Sequence, residues 1–516
     1  MDVSKKGVLS SCKPRKEVLE GELNDAMFAA EFRYLINGTA QPVYKDPKLF
    51  FQNTEPTDNL KDICHFIFRS LNDKKEGGQL IRLSTGYGGG KSHTLMALWH
   101  LAHKVSDPKF KNELLPASNY PKRVKVIAID AADAGIPIFT THDKIKIHSL
   151  QGEIFWQLGG SAGLKNLGPA DNHESCPDER LLSENLGTGP LLILLDELVI
   201  YMASLSTTGQ GNFLNFIGKL ISAVKMRPET VLVITDPGSQ HAYANVTQIL
   251  SGKIGSAALS LDDIFGRKMS DYDPIGKSAA KVIARRLFEK IDRGAAKTAA
   301  EQYHNLYARI MEQNSKLLPE NVVSEDIKKN IEECYPFHPR LIETAKERLG
   351  PLPEFQRSRG VLRLFARIVR DIWDQKVDLD LITAGDINWG SDRIRSDLLQ
   401  RLRREQFAAA VDAVKIRTAR ELGRLIKSLR PDIELTDLQN DSRFISEGAL
   451  TPKINDALQR LGNQFVLTEY LKWEIKEFVG SLTPNEIRSR QSGSSLDAAL
   501  NDYRWKIQDN AVDVLK

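Results

Sequence analysis

The chain has 516 residues, 41% hydrophobic and 27% charged, which at roughly 150 residues per domain allows three or four domains and excludes collagen-like, coiled-coil and largely disordered architectures. Its 71 Lys and Arg against 67 Asp and Glu leave a net charge of +4, so any surface for nucleic acid or membrane must be local. The longest apolar runs, such as Leu191 to Leu195, fall far short of the roughly 18–20 residues that cross a bilayer.

The opening MDVSKKGVLSSCKPRKEV has scattered basic residues but no apolar core and no small-residue cleavage site, so no secretory signal is expected. Cys12, Cys64, Cys176 and Cys334 are far apart and form no C-x-x-C pair, which argues against a zinc ribbon or a disulfide framework and for a reducing, cytoplasmic setting. His173 and Cys176 could share one helical turn, but two polar-loop residues read more simply as surface than as metal ligands.

In chain order, residues 1–75 form an N-terminal helical segment. Phe28, Phe32 and Leu35 recur at helical spacing, as do Leu60, Ile63, Phe66, Ile67 and Leu71, and a turn signal at Lys74 to Gly78 closes the segment. QLIRLST is then a strand, GYGGGKSH a glycine loop and TLMALWHLAHK a helix. VKVIAID is a second strand, followed by a helix from about His148 to Leu158 and a polar loop over 159–190. Leu191 to Leu195 is a third strand, apolar on both faces as a buried parallel strand must be. SLSTTGQGN reads as a flexible loop, Phe213 to Met226 as a helix and VLVIT as a fourth strand. Strands alternating with helices predict a doubly wound parallel sheet with ligands at the strand C-terminal ends. Beyond about residue 260 helical periodicity takes over, in Ala279–Ile291, Ala299–Leu317, Ser324–Cys334, Arg340–Leu349 and Gly360–Trp373, with Val377–Gly390 as a connector. Ser391 to Arg430 is helical and basic, with 11 Lys or Arg against 5 Asp or Glu, and short helices and turns follow to 516. The expected division is therefore 1–75, a core over 76–265, a helical lid over 266–385 and a C-terminal helical region over 386–516.

The strongest chemical signal is Gly86-Tyr87-Gly88-Gly89-Gly90-Lys91-Ser92 between a strand and a helix. A loop that wraps a triphosphate must aim several backbone N–H groups inward, which needs conformations that glycine adopts cheaply, and the following helix adds its positive end. Lys91 would reach the β- and γ-phosphates, Ser92 would ligate Mg²⁺, and His93 follows them at the same helix start. Thr85 stands where the strict pattern has its first glycine, and Gly86 can supply the turn. A second signal is LLILLDE: burying hydrocarbon right up to paired carboxylates is costly unless they meet a cation or a polarised water. Asp196 is placed to hold Mg²⁺ and Glu197 to activate the attacking water. Thr235 ends the fourth strand where a polar residue would sense the γ-phosphate, although Asp236-Pro237 is also an ordinary turn signal. Arg363, with Arg357 and Arg359 just before it, could reach the nucleotide from the lid. Solvated helix arginines are the plainer alternative. Arg267, Arg285 and Arg286 are weaker candidates for an arginine finger supplied by another copy.

TGYGGGKSHTL, HSLQGEIFWQLGG, LLILLDE, YPFHPRLIE and FQRSRGVLRLFARIVRDIW, with KDPKLFFQNTEPTDNLKDI upstream, together resemble the prokaryotic AAA+-related ATPases of the domain of unknown function 499 family. These are similar to the PglY-type ATPases of phage-exclusion systems. The resemblance spans about residues 40–385. It implies an additional-strand P-loop NTPase α/β core and an all-α lid; the mostly helical C-terminal region, with its basic 391–430 segment, reads either as a winged-helix-like DNA contact or as a solvated basic helix. It also implies ATP and Mg²⁺ as cofactors. Lys91 and Ser92 match the family's Walker A residues, Asp196 and Glu197 its Walker B pair, and Arg363 its lid arginine. The expected activity is ATP hydrolysis that drives a switch within an anti-phage defence complex acting on DNA. Partners would be a methyltransferase, helicase or nuclease, with no membrane contact and with a homo-oligomer open. The alternative is an ATP-binding scaffold with little turnover that recruits such an enzyme. Members of the family are longer than this chain, so a short member and a chain with further C-terminal domains both remain open.

Overall fold

The computed structural model describes residues 7–23, 25–28, 30–84, 90–104, 112–115, 121, 123–133, 140–142, 145–236, 260–261, 264–265, 269–272, 278–313, 324–349, 355, 358–376, 378–388 and 391–401. They fall into two compact units, one of Arg15–Leu287 with Glu343–Ala366 and one of Met1–Pro14, Phe288–Ile342 and Arg367–Lys516.

The larger unit is built on a parallel sheet of β1 (Gln79–Ser84), β2 (Lys125–Asp130), β3 (Leu191–Asp196), β4 (Thr230–Asp236) and the short edge strand β5 (Ser270–Tyr272). Their spatial order is β2-β3-β4-β1-β5. β4 thus lies between the strand that precedes the glycine loop and the strand that ends in Asp196. The register sets Asp130 opposite Asp196 and Ser84 opposite Asp236, so the strands finish level with one another.

Successive side chains of a strand point to opposite faces, and the core divides accordingly. Leu191, Ile193 and Leu195 pack with Ile127, Ile129, Leu232 and Ile234 on one face, whereas Leu192 and Leu194 pack with Ala128, Val231 and Val233 on the other. On the second face lie α1 (Asp58–Ser70) and α2 (Lys91–Lys104). Helix α1 starts where the Thr57 hydroxyl accepts from the Leu60 N–H at 3.1 Å, and it buries Leu60, Ile63, Cys64, Ile67 and Phe68 as a single stripe. The first face is covered by α3 (Leu150–Leu167), α4 (Leu198–Ser204) and α5 (Thr207–Lys225).

Several expectations need correction. The span 159–190 is not one loop: α3 continues through a kink at Gly160 (φ +59°) to Leu167, and Glu179–Leu186 is a further helix capped by Asp178. The glycine pair interrupts the apolar period without ending the helix, because Leu164 and Leu167 resume contact with the core. SLSTTGQGN is not a flexible loop: Ser204 ends α4 and Thr207 begins α5, where Ser206 accepts from the Gly209 N–H at 3.1 Å and supplies a cap that outweighs the poor helix propensity of the run. Strand signal also persists beyond residue 260, in β5 and in Phe288–Ile291.

That last strand lies in the smaller unit. Ala279–Ile291, read as one helix, is a helix only to Leu287, and Phe288–Ile291 then pairs antiparallel with Cys12–Pro14, a strand inside the segment expected to be helical. A run as short as FEKI is decided by its partner, since its apolar spacing suits either state. Around this ribbon Phe288 packs near Phe337 and Trp373, and the Ser11 hydroxyl meets that of Tyr335 at 2.6 Å. Among its described residues the unit also holds helices Arg293–Gln313, Glu325–Cys334 and Asp392–Arg401. Among the described residues the protein is thus mixed α/β, mostly helical, with one parallel sheet. Residues 402–516, and with them the expected winged-helix-like region, lie outside the described residues.

Candidate functional site

β1 delivers the chain to the glycine loop, of which Gly86, Tyr87, Gly88 and Gly89 lie outside the described residues. Gly90 has φ +69°, a left-handed conformation that costs an L-residue roughly 1–2 kcal/mol. Its carbonyl accepts from both the N–H and the hydroxyl of Thr94, at 2.8 and 3.0 Å, closing the first turn of α2. Lys91 and Ser92 therefore stand at the N-terminal end of a 14-residue helix beside the strand ends.

Asp196, the last residue of β3, is 1% exposed. Its carboxylate accepts a hydrogen bond from the Thr235 hydroxyl, and the Ser92 hydroxyl lies near enough to favour its ionised form. Burial pushes this carboxyl above the ordinary range, while Thr235, Ser92, the Lys91 charge and the Glu197 N–H pull it back. A buried carboxylate beside a serine hydroxyl is a pair of hard oxygen donors and fits Mg²⁺, which keeps several of its waters and takes one or two protein ligands.

Glu197 follows in a left-handed conformation (φ +55°, ψ +35°) and caps α4 through its carbonyl, which accepts from Ile200 and Tyr201. A non-glycine residue held there stores backbone strain of order 1–3 kcal/mol and is characteristic of functional turns. Its N–H donates to the Thr235 hydroxyl at 3.3 Å. Thr235 is 3% exposed and belongs to β4 rather than to a loop. One hydroxyl therefore donates to Asp196 and accepts from Glu197, tying together the two residues of the acidic pair.

Two acids were legible in LLILLDE, and a third was missed. Asp130 ends β2 just as Asp196 ends β3, and VKVIAID carries the same signature of an apolar strand closed by an acid. Its carboxylate accepts from the backbone N–H groups of Arg33 and Ala132, each at 3.2 Å. Burial, then the neighbouring charge of Asp196, pushes its carboxyl up to about 7. The opposing influences are those two N–H bonds and the Arg33 charge.

The structure engages His93 with the N-terminal segment. Its ring stacks on Phe50 at 4.5 Å and its Nε2 meets the Thr54 hydroxyl at 2.8 Å. Burial, with Arg286 and His100 nearby, drives its pKa down to about 3 and keeps the ring neutral. The segment KDPKLFFQNTEPT is thereby docked on the first turn of α2, which its sequence alone did not reveal.

Among the arginines, Arg363 is 4% exposed on α6 (Ser358–Gln375). Arg359, one turn earlier, pairs with Glu31 at 3.5 Å. Arg285 pairs with Glu113 at 3.0 Å, and Arg286 lies over the Tyr44 ring and bonds its hydroxyl at 3.0 Å. Arg267 and Arg357 lie outside the described residues. His173 and Cys176 do not share a helical turn: His173 Nδ1 meets the Tyr201 hydroxyl at 3.2 Å, and Cys176 Sγ donates to the Pro177 carbonyl at 3.3 Å.

Fold and strand-end acids define a parallel α/β protein with its polar residues gathered at the carboxyl ends of the strands, where such sheets bind ligands. The sequence profile of the DUF499 N-terminal domain matches residues 4–245 and that of the DUF499 second domain matches residues 276–424, so the chain belongs to the DUF499 family. No curated protein matches it. Among the described residues no helix is long and apolar enough to cross a membrane.

Proposed function

We propose that the chain is an Mg²⁺-dependent ATP-binding and ATP-hydrolysing switch of the additional-strand, AAA+-like P-loop class, working in the cytoplasm within an anti-phage complex that acts on DNA. What supports the ATPase assignment is that Lys91 and Ser92, at the start of α2, lie close enough to the Asp196 carboxylate, distant in sequence, to favour its ionised form. The strand inserted between β1 and β3 supports the class, because Thr235 on that strand reaches both members of the acidic pair. The DNA and defence assignments, with a methyltransferase, helicase or nuclease as partner, rest on the family resemblance.

In this assignment Lys91 and the loop N–H groups bind the β- and γ-phosphates. Ser92 and Asp196 hold Mg²⁺, which neutralises phosphate charge when bound. Glu197 accepts a proton from the attacking water, in a position fixed by its strained backbone and its bond to Thr235. A lid arginine, Arg363 or a neighbour, gives the nucleotide different affinities for two lid positions, which is what a population shift requires.

The experiment is equilibrium ATP binding and phosphate release for the wild type, Lys91→Ala and Glu197→Gln, with and without DNA. Lys91→Ala is expected to lose ATP binding, and Glu197→Gln to bind ATP with turnover reduced by about 100-fold or more. Wild-type steady-state turnover by Glu197→Gln removes Glu197 from the catalytic role. ATP binding with flat, near-zero release by the wild type, DNA or no DNA, makes the protein an ATP-binding scaffold.

A further inference from the structure

Glu31, in the segment ahead of the sheet, gathers two guanidinium groups. One carboxylate oxygen accepts from Arg33 Nε at 3.1 Å and Nη2 at 2.8 Å, and the other pairs with Arg359 Nη1 at 3.5 Å. The Arg33 backbone N–H in turn donates to Asp130, whose register partner across the sheet is Asp196. A chain of single contacts thus runs from Arg359 through Glu31, Arg33 and Asp130 to the acid-bearing strand ends, within one compact unit. The Arg33 charge also bears on the Asp130 carboxyl, so the cluster is electrostatically part of that corner.

Two cations share this one anion, and the Asp130 carboxyl is next along the chain of contacts. Stability does not explain it: the side chains are 24–35% exposed, and ion pairs of that exposure contribute only about 0–1 kcal/mol. A side chain at Gly360 would collide with the Phe355 carbonyl, so the backbone beside Arg359 closely approaches that residue. Arg363 is buried at 4% exposure, whereas Arg359 at 35% can still meet a ligand.

We propose, on the basis of the nucleotide site assigned above, that Glu31 is a positioning residue that holds Arg359 at the phosphate end of that site, where Arg359 distinguishes a nucleoside triphosphate from a diphosphate. A guanidinium steered by a partly exposed carboxylate can exchange that partner for a phosphate at low cost, because the ion pair it gives up is weak and a phosphate accepts its fork of donors at least as well.

The test measures dissociation constants for Mg²⁺-ATP and Mg²⁺-ADP on the full chain, with Lys91→Ala as the control for the site itself. The wild type is expected to prefer ATP, and Arg359→Ala to shrink the ATP-to-ADP preference by about tenfold, the scale of a lost hydrogen bond to a charged group. Glu31→Ala should shrink the ratio in the same direction and Glu31→Asp restore part of it, while the double variant Glu31→Ala/Arg359→Ala should be no worse than Arg359→Ala. Arg359→Lys, which keeps the charge and the packing of the stem, guards against a folding defect and should lie between wild type and Arg359→Ala. An unchanged ratio in Arg359→Ala, or additive losses in the double variant, overturns the inference, and loss of binding in Lys91→Ala would show that the nucleotide site survives it. Failure of the wild type to bind ATP at all overturns the nucleotide site and the inference with it.

Discussion

Replacing Thr235 by Val removes one hydroxyl and leaves the volume and β-branching of the side chain almost unchanged. That hydroxyl donates to the Asp196 carboxylate and accepts from the Glu197 N–H at 3.3 Å, in a position 3% exposed. A hydrogen bond to a charged group is worth about 1.5–3 kcal/mol and a neutral one about 0.5–1.5, and the buried partners left behind carry most of the loss. Val recovers part of it by placing a methyl group in an apolar setting, about 0.8 kcal/mol for a group of that size. The net expectation is about 2 kcal/mol of local destabilisation. Thr235→Ser keeps the hydroxyl and loses only the methyl, so its cost should be about 1 kcal/mol. Sign and pH dependence follow from the same geometry. The Thr235 bond favours the ionised form of Asp196 and opposes the rise caused by burial, so the valine variant should suffer more at high pH, where that carboxyl is ionised, than at low pH, where it is protonated. Native-state hydrogen exchange of the β3 and β4 amides is the suitable assay, because a chain with two compact units need not unfold in one step. A valine variant as protected as wild type, or better protected than the serine variant, would refute the bridging role of the hydroxyl.

Acid should weaken the larger unit through its buried histidines. His93 and His100 are held by burial at about 3 and about 4, below the ordinary 6.5, so between those values the unfolded chain binds protons that the folded chain excludes. Stability should fall as the pH drops below 6.5, by up to about 1.4 kcal/mol per unit for each ring. Asp130 acts in the opposite sense: raised from 3.8 to about 7, it favours the folded state at low pH and loses that contribution as the pH rises through 7. Asp196, also raised by burial, acts with Asp130, and His173, also lowered by burial, acts with the other two rings; with three groups against two, the urea midpoint should decrease from pH 6.5 to pH 5, and a flat or rising midpoint would contradict the buried, neutral histidines. Burial pushes the thiols of Cys64 and Cys12 up to about 12 and about 11, so both should resist iodoacetamide at pH 8 until the protein is denatured. Mass mapping should place native labelling at Cys176 and Cys334, and early labelling of Cys64 would argue against its packing.

Amino-acid order alone determined whatever depends on near neighbours. The four main strands announced themselves by length and predominant apolarity, α1 by its stripe from Leu60 to Leu71, and Lys91, Ser92, Asp196 and Glu197 by residue type at a strand or helix end, where local spacing dictates placement. Only the tertiary structure decided what depends on a distant partner. FEKI became a strand because Cys12–Pro14 lies alongside it, Thr235 became a bridge because β4 runs next to β3, and Asp130 joined the site because the register sets it opposite Asp196. Glu31 shows the limit best: an ordinary surface acid in sequence, it meets Arg359 across 328 positions. A hydrogen bond or an ion pair requires closeness in space, and no local pattern records which remote residue the packed sheet will bring there.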